Sequence, residues 1–296
     1  MGIIIDKETN IVVLGITGKE GSRATKEMIE SGSKVSCGVT PGKSGLIIEN
    51  KPVFDSLREA IHFDSKINTA VLYVPPLMVY DAAIEAIENK IKTIIIVTEN
   101  TPIKDSAKII ELAKENNCRI IGPSSVGLIS VGLGKIGSIG FDKRFSKGNI
   151  GIISKSGGLC AETASLLTKN NLGQSTVIGI GGDILIGSTF SDLLSLFEKD
   201  PDTKAVVIIG EIGGTYEEQV AEMLIKKEFT KPLIAFIAGK FVQSIKRELS
   251  FGHSGAIIEF GSGNVETKKE ILKKSGALIA NYHDEIPDLV KKALKL

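Results

Sequence analysis

The repeated switch between short β-branched runs and longer amphipathic stretches constrains this chain more than any other feature. Ile11-Val12-Val13-Leu14 precedes a helix-like stretch over 19–31, and Val35 to Val39 precedes one over 55–62. Ala70 to Val74 precedes 77–89, Thr93 to Val97 precedes 104–116, and Arg119-Ile120-Ile121 closes the series. This change of apolar period, from unbroken short runs to spacings of three and four, describes βαβ units on a parallel sheet. The first part of the chain is therefore expected to be Rossmann-like.

Gly122-Pro123 interrupts the pattern. The glycine- and serine-rich stretch after it, to about residue 148, has little helical periodicity and reads as a connection or an irregular hairpin. The alternation restarts with Ile150 to Ile153, a helix after Gly158, Thr176 to Ile180, and a helix at 188–199. Ala205 to Ile209, a helix at 215–227 and Pro232 to Ile237 continue it, and Ile286, Leu289, Val290 and Leu294 mark a closing amphipathic helix over 284–295. At 296 residues the chain exceeds the usual size of one domain. The expectation is an α/β protein with one domain over 1–125 and a second, flavodoxin-like domain over 126–296.

Composition narrows the function classes. A formal net charge of +1 offers no broad field for a polyanion, so nucleic acid is not an expected partner. Cys37, Cys118 and Cys160 are odd in number and lack a CxxC spacing, which points to neither a disulfide framework nor a metal site. The apolar start of MGIIIDKETN is too short for a signal segment, and no apolar run reaches bilayer length. A cytoplasmic protein without a membrane partner, or an organellar one whose transit segment has been removed, is expected.

The 32 glycines exceed the average share and gather in loops that follow strands. Gly15-Ile16-Thr17-Gly18-Lys19-Glu20-Gly21 joins the first strand to the first helix, where unpaired amide N–H groups and the helix dipole favour a phosphate. Its GxxGxxG spacing departs from the dinucleotide fingerprint, and no acidic residue ends the second strand to hold a ribose diol, which disfavours NAD. A turn needed only for helix–strand packing is the competing reading. Val39-Thr40-Pro41-Gly42-Lys43-Ser44-Gly45 looks like the tail of a P-loop, but Cys37 stands where that motif needs glycine. Lys43 remains open to an anion contact or to a solvated surface role. Ser154-Lys155-Ser156-Gly157-Gly158 again joins a strand to a helix and makes a second candidate anion cradle. Gly179-Ile180-Gly181-Gly182-Asp183 and Gly210-Glu211-Ile212-Gly213-Gly214 end strands at the same edge, and the second sets Glu211 in an apolar-flanked turn.

Phe251-Gly252-His253-Ser254-Gly255-Ala256 places one of three histidines between glycines that leave its ring room. A lone histidine is more often structural. Beside Glu211 and the Ser156 helix start, however, a carboxylate would fix its tautomer and a helix N-terminus would stabilise a dianion on a phosphorylated imidazole. His62 and His283 lack such company and read as structural.

The strings GxTGxxG, VTPGK, VTE, SKSGG, GIGGD, GEIGG and FGHSGA, in this order over essentially the whole chain, resemble the succinyl-CoA synthetase α-subunit family. The resemblance implies an N-terminal Rossmann-like CoA-binding domain followed by a flavodoxin-like ligase domain. It implies that Thr17, Gly18, Lys19 and Glu20 line the CoA nucleotide, that Lys43 lies near its phosphates, and that Val97, Thr98 and Glu99 complete the pocket. It implies too that His253 is the phosphorylated nucleophile, Glu211 its orienting carboxylate, and Ser156, Gly157 and Gly158 the cradle for the phosphoryl group. The implied reaction joins a carboxylic acid to CoA, with ATP or GTP and its Mg bound by a β subunit carrying an ATP-grasp domain.

Departures from the succinate pattern cluster where the acid would sit. Gly122-Pro123-Ser124-Ser125-Val126-Gly127 stands where the family usually reads GPNCPG, and Ala161 takes the place of a tyrosine near the substrate. These changes are expected to enlarge or reshape the acid pocket around Ser124, Ser125 and Ala161. GPSSVG, SKSGG, GSTF, GEIGGT and FGHSGA are also similar to ATP-citrate lyase and citryl-CoA synthetase. Succinate is the leading acid, with citrate or malate as alternatives. A CoA-binding regulatory protein without chemistry and a nicotinamide oxidoreductase are the readings from other classes. The first is opposed by the presence of His253 and Glu211, the second by the missing ribose carboxylate.

Overall fold

In the computed structural model, which describes residues 2–140, 142–239 and 264–296, two seven-stranded sheets follow one another along the chain. The first contains β1 (Ile11–Leu14), β2 (Val35–Val39), β3 (Ile47–Ile48), β4 (Lys51–Phe54), β5 (Thr69–Leu72), β6 (Thr93–Ile96) and β7 (Arg119–Ile121), in the order β3-β4-β2-β1-β5-β6-β7. All pairs are parallel except the short β3–β4 hairpin at the edge. Counting only parallel strands, the order is 3-2-1-4-5-6, the Rossmann arrangement, with its switch point between β1 and β5. Helices α1 (Lys19–Glu30), α2 (Leu57–Phe63), α3 (Val79–Glu88) and α4 (Ile103–Glu115) make the crossovers. Their apolar stripes, such as Ala24 and Met28 on α1 or Val79, Ala83 and Ala86 on α3, are fully buried.

The second sheet contains β8 (Gly127–Ser130), β9 (Gly134–Gly137), β10 (Lys147–Ser154), β11 (Gln174–Gly179), β12 (Ala205–Gly210), β13 (Leu233–Ile237) and β14 (Leu278–Ala280), in the order β14-β13-β12-β10-β11-β8-β9. Its five parallel strands read 2-1-3-4-5, the flavodoxin order, with the switch point between β10 and β12. The helices are α5 (Gly157–Lys169), α6 (Phe190–Lys199), α7 (Tyr216–Ile225), α8 (Val265–Lys274) and α9 (Ile286–Leu294). The stretch read as a connection or irregular hairpin contains β8 and β9, which pair antiparallel and extend the sheet beside β11. The sequence pattern did not foresee α8 or β14: the VETKKEILKK segment is too charged to show an apolar stripe, although Val265 and Leu272 are buried.

The first sheet's last strand ends at Ile121 and the second sheet's first begins at Gly127. The loop between them stitches both sheets together at their carboxyl edges. Ser125 N–H donates to Ile96 O at 3.2 Å and Ser124 N–H to Thr98 O at 3.0 Å, on the first sheet's side. On the other side, the Ser125 hydroxyl donates to Gly179 O at 2.6 Å and the Ser124 hydroxyl to Asp183 Oδ1 at 2.7 Å. Ser188 Oγ reaches Ile120 O at 2.7 Å and Gly187 N–H reaches Gly122 O at 2.9 Å. A second seam joins α1 to β9. The Lys135 ammonium, 1% exposed, meets the Glu27 carboxylate at 2.9 Å, and Ser33 Oγ donates to Lys135 O at 2.6 Å. One hydrophobic cluster includes Val13, Met28 and Ile121 together with Ile136, Ile153 and Ile178, so the two sheets share a core.

Candidate functional site

In an open parallel sheet, ligands collect beyond the carboxyl ends of strands at the switch point. The first switch point carries the Gly15–Gly21 loop. Gly15 holds φ +85°, and a Cβ there would lie 2.7 Å from the Tyr73 carbonyl oxygen, so the turn requires glycine twice over. A Cβ on Gly21 would lie 2.3 Å from Gly15 O, which locks the loop against the first turn of α1. Gly18 is the N-cap of α1 and supplies no side chain to its amides, which leaves the helix start available to an anion. Thr17 bridges to the second strand's loop through Thr40 Oγ1 at 3.2 Å. Lys19 and Glu20 are exposed, and Arg23, hydrogen-bonded to Glu20, holds the Glu20 carboxyl below its usual range.

Lys43 is exposed on the turn after β2, where Asp55 Oδ1 accepts from the amides of Lys43 and Ser44 at 2.9 Å each. Val97 and Thr98 are half-buried after β6, Thr98 Oγ1 donates to Val74 O at 2.7 Å, and Glu99 is exposed. All eight residues expected to line the CoA pocket thus fall in loops or a helix start at the carboxyl edge of the first sheet.

The second switch point lies between the loops after β10 and β12. Ser156 is the N-cap of α5 and its hydroxyl accepts from Leu159 N–H at 3.4 Å. Gly157 packs so tightly that a Cβ would lie 2.3 Å from Val126 Cγ1, whereas a Cβ on Gly158 would meet nothing within 4 Å. The helix start is closed on one side and open on the other. Glu211, 8% exposed, sits at the end of β12, and its Oε1 lies 2.8 Å from the Lys155 ammonium of the neighbouring loop. Lys155 is 3% exposed and stands 5.4 Å from the centre of the Tyr216 ring.

Beneath Glu211 lies a second buried pair. Lys268 of α8, fully buried, contacts the Glu217 carboxylate of α7 and donates to Glu211 O at 3.0 Å and to Gly213 O. Glu217, 1% exposed, accepts from Glu211 N–H at 3.1 Å. Burial pushes the Glu217 carboxyl above its usual range, against the opposing pull of Lys268. Two cations and two carboxylates therefore form a net-neutral, buried set around one loop. Sequence reasoning singled out Glu211 and the loop that carries Lys155 but gave Lys155 no role, and it missed Glu217 and Lys268, because isolated charged residues in amphipathic stretches read as solvent-facing.

The expected acid-pocket residues are placed less openly. Ser125 is 2% exposed, and its hydroxyl both donates to Gly179 O and accepts from Gly127 N–H at 2.8 Å. Ser124 is half-buried and bonded to Asp183. Ala161, 5% exposed on α5, faces Gly140, whose added Cβ would lie 3.2 Å from the alanine methyl. His253 and its FGHSGA motif lie outside the described residues. His283 is half-buried; its Nε2 meets Thr163 Oγ1 at 2.8 Å, its ring packs edge-on against Phe236, and burial lowers its pKa below 6.5. His62 is exposed on α2. The three cysteines are free and buried, and burial pushes each thiol up to about 12. Among the described residues there is no cluster of His, Cys, Asp and Glu fit to hold a metal, and no helix long and apolar enough to cross a membrane.

Comparison with known proteins finds a CoA-binding domain family over residues 6–100 and a CoA-ligase family over residues 153–278. An ADP-forming sulfoacetate-CoA ligase subunit, SqwL, from an Acholeplasma species is 42% identical over 99% of this chain and 98% of its own. The succinate–CoA ligase [ADP-forming] subunit alpha of Aquifex aeolicus is 43% identical over 100% of this chain and 96% of its own. The solved ATP citrate lyase of Methanosaeta concilii, in complex with citryl-CoA, superposes with a TM-score of 0.91 at 22% identity and covers 99% of this chain. The match spans 50% of that longer chain, and the likeness is one of fold.

Proposed function

The chain belongs to the succinyl-CoA synthetase α-subunit family, and from that premise we propose that it is the α subunit of an ADP-forming acid–CoA ligase. In this reading, residues 1–125 form the domain that binds CoA as a substrate and residues 126–296 the domain that carries the phosphoryl group. The observation that carries it is the second switch point, where the α5 helix start, open at Gly158, and the buried Glu211 carboxylate follow the paired strands β10 and β12. His253 accepts the phosphoryl group from a nucleoside triphosphate bound with Mg by a β subunit of ATP-grasp type. Glu211 orients the imidazole, while Ser156, Gly157 and Gly158 hold the phosphoryl dianion at the helix start. His253 then passes the group to the acid's carboxylate, and the CoA thiol displaces phosphate from the acyl phosphate to leave the thioester. The covalent relay divides one difficult condensation into easier steps.

Thr17, Gly18, Lys19 and Glu20 receive the CoA nucleotide, Lys43 its phosphates, and Val97, Thr98 and Glu99 the remainder. At the acid, the Ser125 hydroxyl is already spent inside the protein, so Ser124 and the space left by Ala161 are the selective elements. Succinate and sulfoacetate, the acids named for relatives at 43% and 42% identity, are both short acids with a second anionic group. The substrate class is therefore a short polyanionic carboxylic acid: succinate or sulfoacetate first, with malate, the hydroxylated C4 diacid, and the larger citrate as further members of the class.

The test pairs this chain with its cognate β subunit and radiolabelled ATP. Acid-labile, base-stable phosphate should appear on the chain and disappear in His253→Asn, while CoA binding survives. Loss of CoA affinity in that variant would contradict the division of labour between the domains. Absence of label on the wild type would favour a CoA-binding protein without chemistry. A panel of succinate, sulfoacetate, citrate and malate then identifies the acid.

A further inference from the structure

Lys268 and Glu217 between them hold both peptide units that flank the Glu211 side chain. The Glu217 carboxylate accepts from Glu211 N–H at 3.1 Å, and the Lys268 ammonium donates to Glu211 O at 3.0 Å and, one turn further, to Gly213 O. Gly210 is what allows the carboxylate so close: a Cβ there would lie 2.3 Å from Glu217 Oε1. Burying a lysine and a glutamate carries a large desolvation penalty, and an apolar pair of the same volume packs α7 against α8 at least as well. The ion pair offers what an apolar pair lacks, namely donors and an acceptor directed at the backbone of one residue.

We propose that Lys268, paired with Glu217, is a positioning residue for phosphoryl transfer: it fixes the rotation of the peptide units on either side of Glu211 and so aims that carboxylate. The proposal rests on the reading of Glu211 as the carboxylate that serves the phosphorylated histidine, and extends it to two residues that touch neither substrate nor nucleophile. The arrangement also ties the root of α8, which begins at Val265, to the Glu211 loop, while at the end of β13 Ala238 N–H donates to Gly210 O at 2.9 Å. Both flanks of residues 240–263 are thus fastened to the loop that presents Glu211.

Lys268→Met alone strands the Glu217 charge and risks unfolding, so the test uses the paired variant Lys268→Met/Glu217→Gln, which removes both charges at nearly constant volume. It is measured in the full chain assembled with its β subunit, beside Glu211→Gln and the triple combination. The paired variant should keep its melting temperature within a few degrees and its KM for CoA unchanged. Labelling of the chain by radiolabelled ATP should slow by about ten- to a hundredfold, the loss that a misplacement on the order of an ångström brings. Added to Glu211→Gln, the pair should cost no further rate, because it acts through Glu211. A wild-type labelling rate in the paired variant, or losses that multiply in the triple, overturns the proposal. Wild-type labelling in Glu211→Gln would instead overturn the underlying reading of Glu211.

Discussion

Replacing Lys155 by methionine tests whether the ion pair at the second switch point is structural as well as chemical. Lys155 and Glu211 meet at 2.8 Å with side chains 2% and 11% exposed, so neither end is screened by water. Removing one partner of a buried pair leaves the other charge uncompensated, at about 3–5 kcal/mol. The ammonium also stands 5.4 Å from the Tyr216 ring centre, and losing that contact adds roughly 0.5–2 kcal/mol. For a domain of this size a kilocalorie corresponds to about 2–4 °C, so Lys155→Met should melt roughly 10–20 °C below wild type in calorimetry. Lys155→Met/Glu211→Gln removes both charges and should recover most of that loss, since a neutral pair of similar volume carries little penalty. Activity should be lost in the double variant, which removes the Glu211 carboxylate. A Lys155→Met melting temperature within about 2 °C of wild type, or a double variant less stable than the single, would refute the reasoning.

Lys43→Ala should raise the dissociation constant for CoA by about tenfold, the worth of one charge-assisted contact, and an unchanged constant in titration calorimetry would remove Lys43 from the pocket. Gly157→Val should lower stability by about 1–3 kcal/mol through overpacking, since even its Cβ lies 2.3 Å from Val126 Cγ1, and a denaturation midpoint equal to wild type would contradict the tight fit. Burial holds His283 below its ordinary 6.5, so the unfolded chain takes up the proton at higher pH than the folded one. The stability His283 contributes is full above pH 6.5 and lost as pH falls through the folded value. His283→Gln should flatten that part of the stability–pH curve, and an unaltered slope would assign the effect elsewhere.

The strands were legible wherever β-branched runs are buried on both faces: Ile11–Leu14, Val35–Val39 and Ala205–Gly210 lie close to where the pattern sets them. The glycine loops were legible for the same reason, because each follows such a run directly. The β3–β4 hairpin escaped because its strands are two and four residues long and contain Pro52. α8 escaped because two of its lysines point inward: Lys268 is fully buried and Lys269 is 6% exposed, and apolar periodicity counts neither. The partners of Lys155, Lys135 and Lys268 lie 56, 108 and 51 residues away in sequence. Only the folded chain brings those charges together, so Glu211 could be singled out from the sequence while the groups that hold it could not.

The loop from Gly122 to Gly127 bears on how the thiol reaches the acyl group. Its serines are bonded to the last turns of β6 and β11 at once, and Lys135 fastens α1 to the neighbouring hairpin. A jaw-like closing of one domain upon the other would have to tear those bonds each cycle. The chassis is effectively welded at that rim, so under the proposed function any travel between the CoA nucleotide and the reacting carbon would fall to the slender arm of CoA itself.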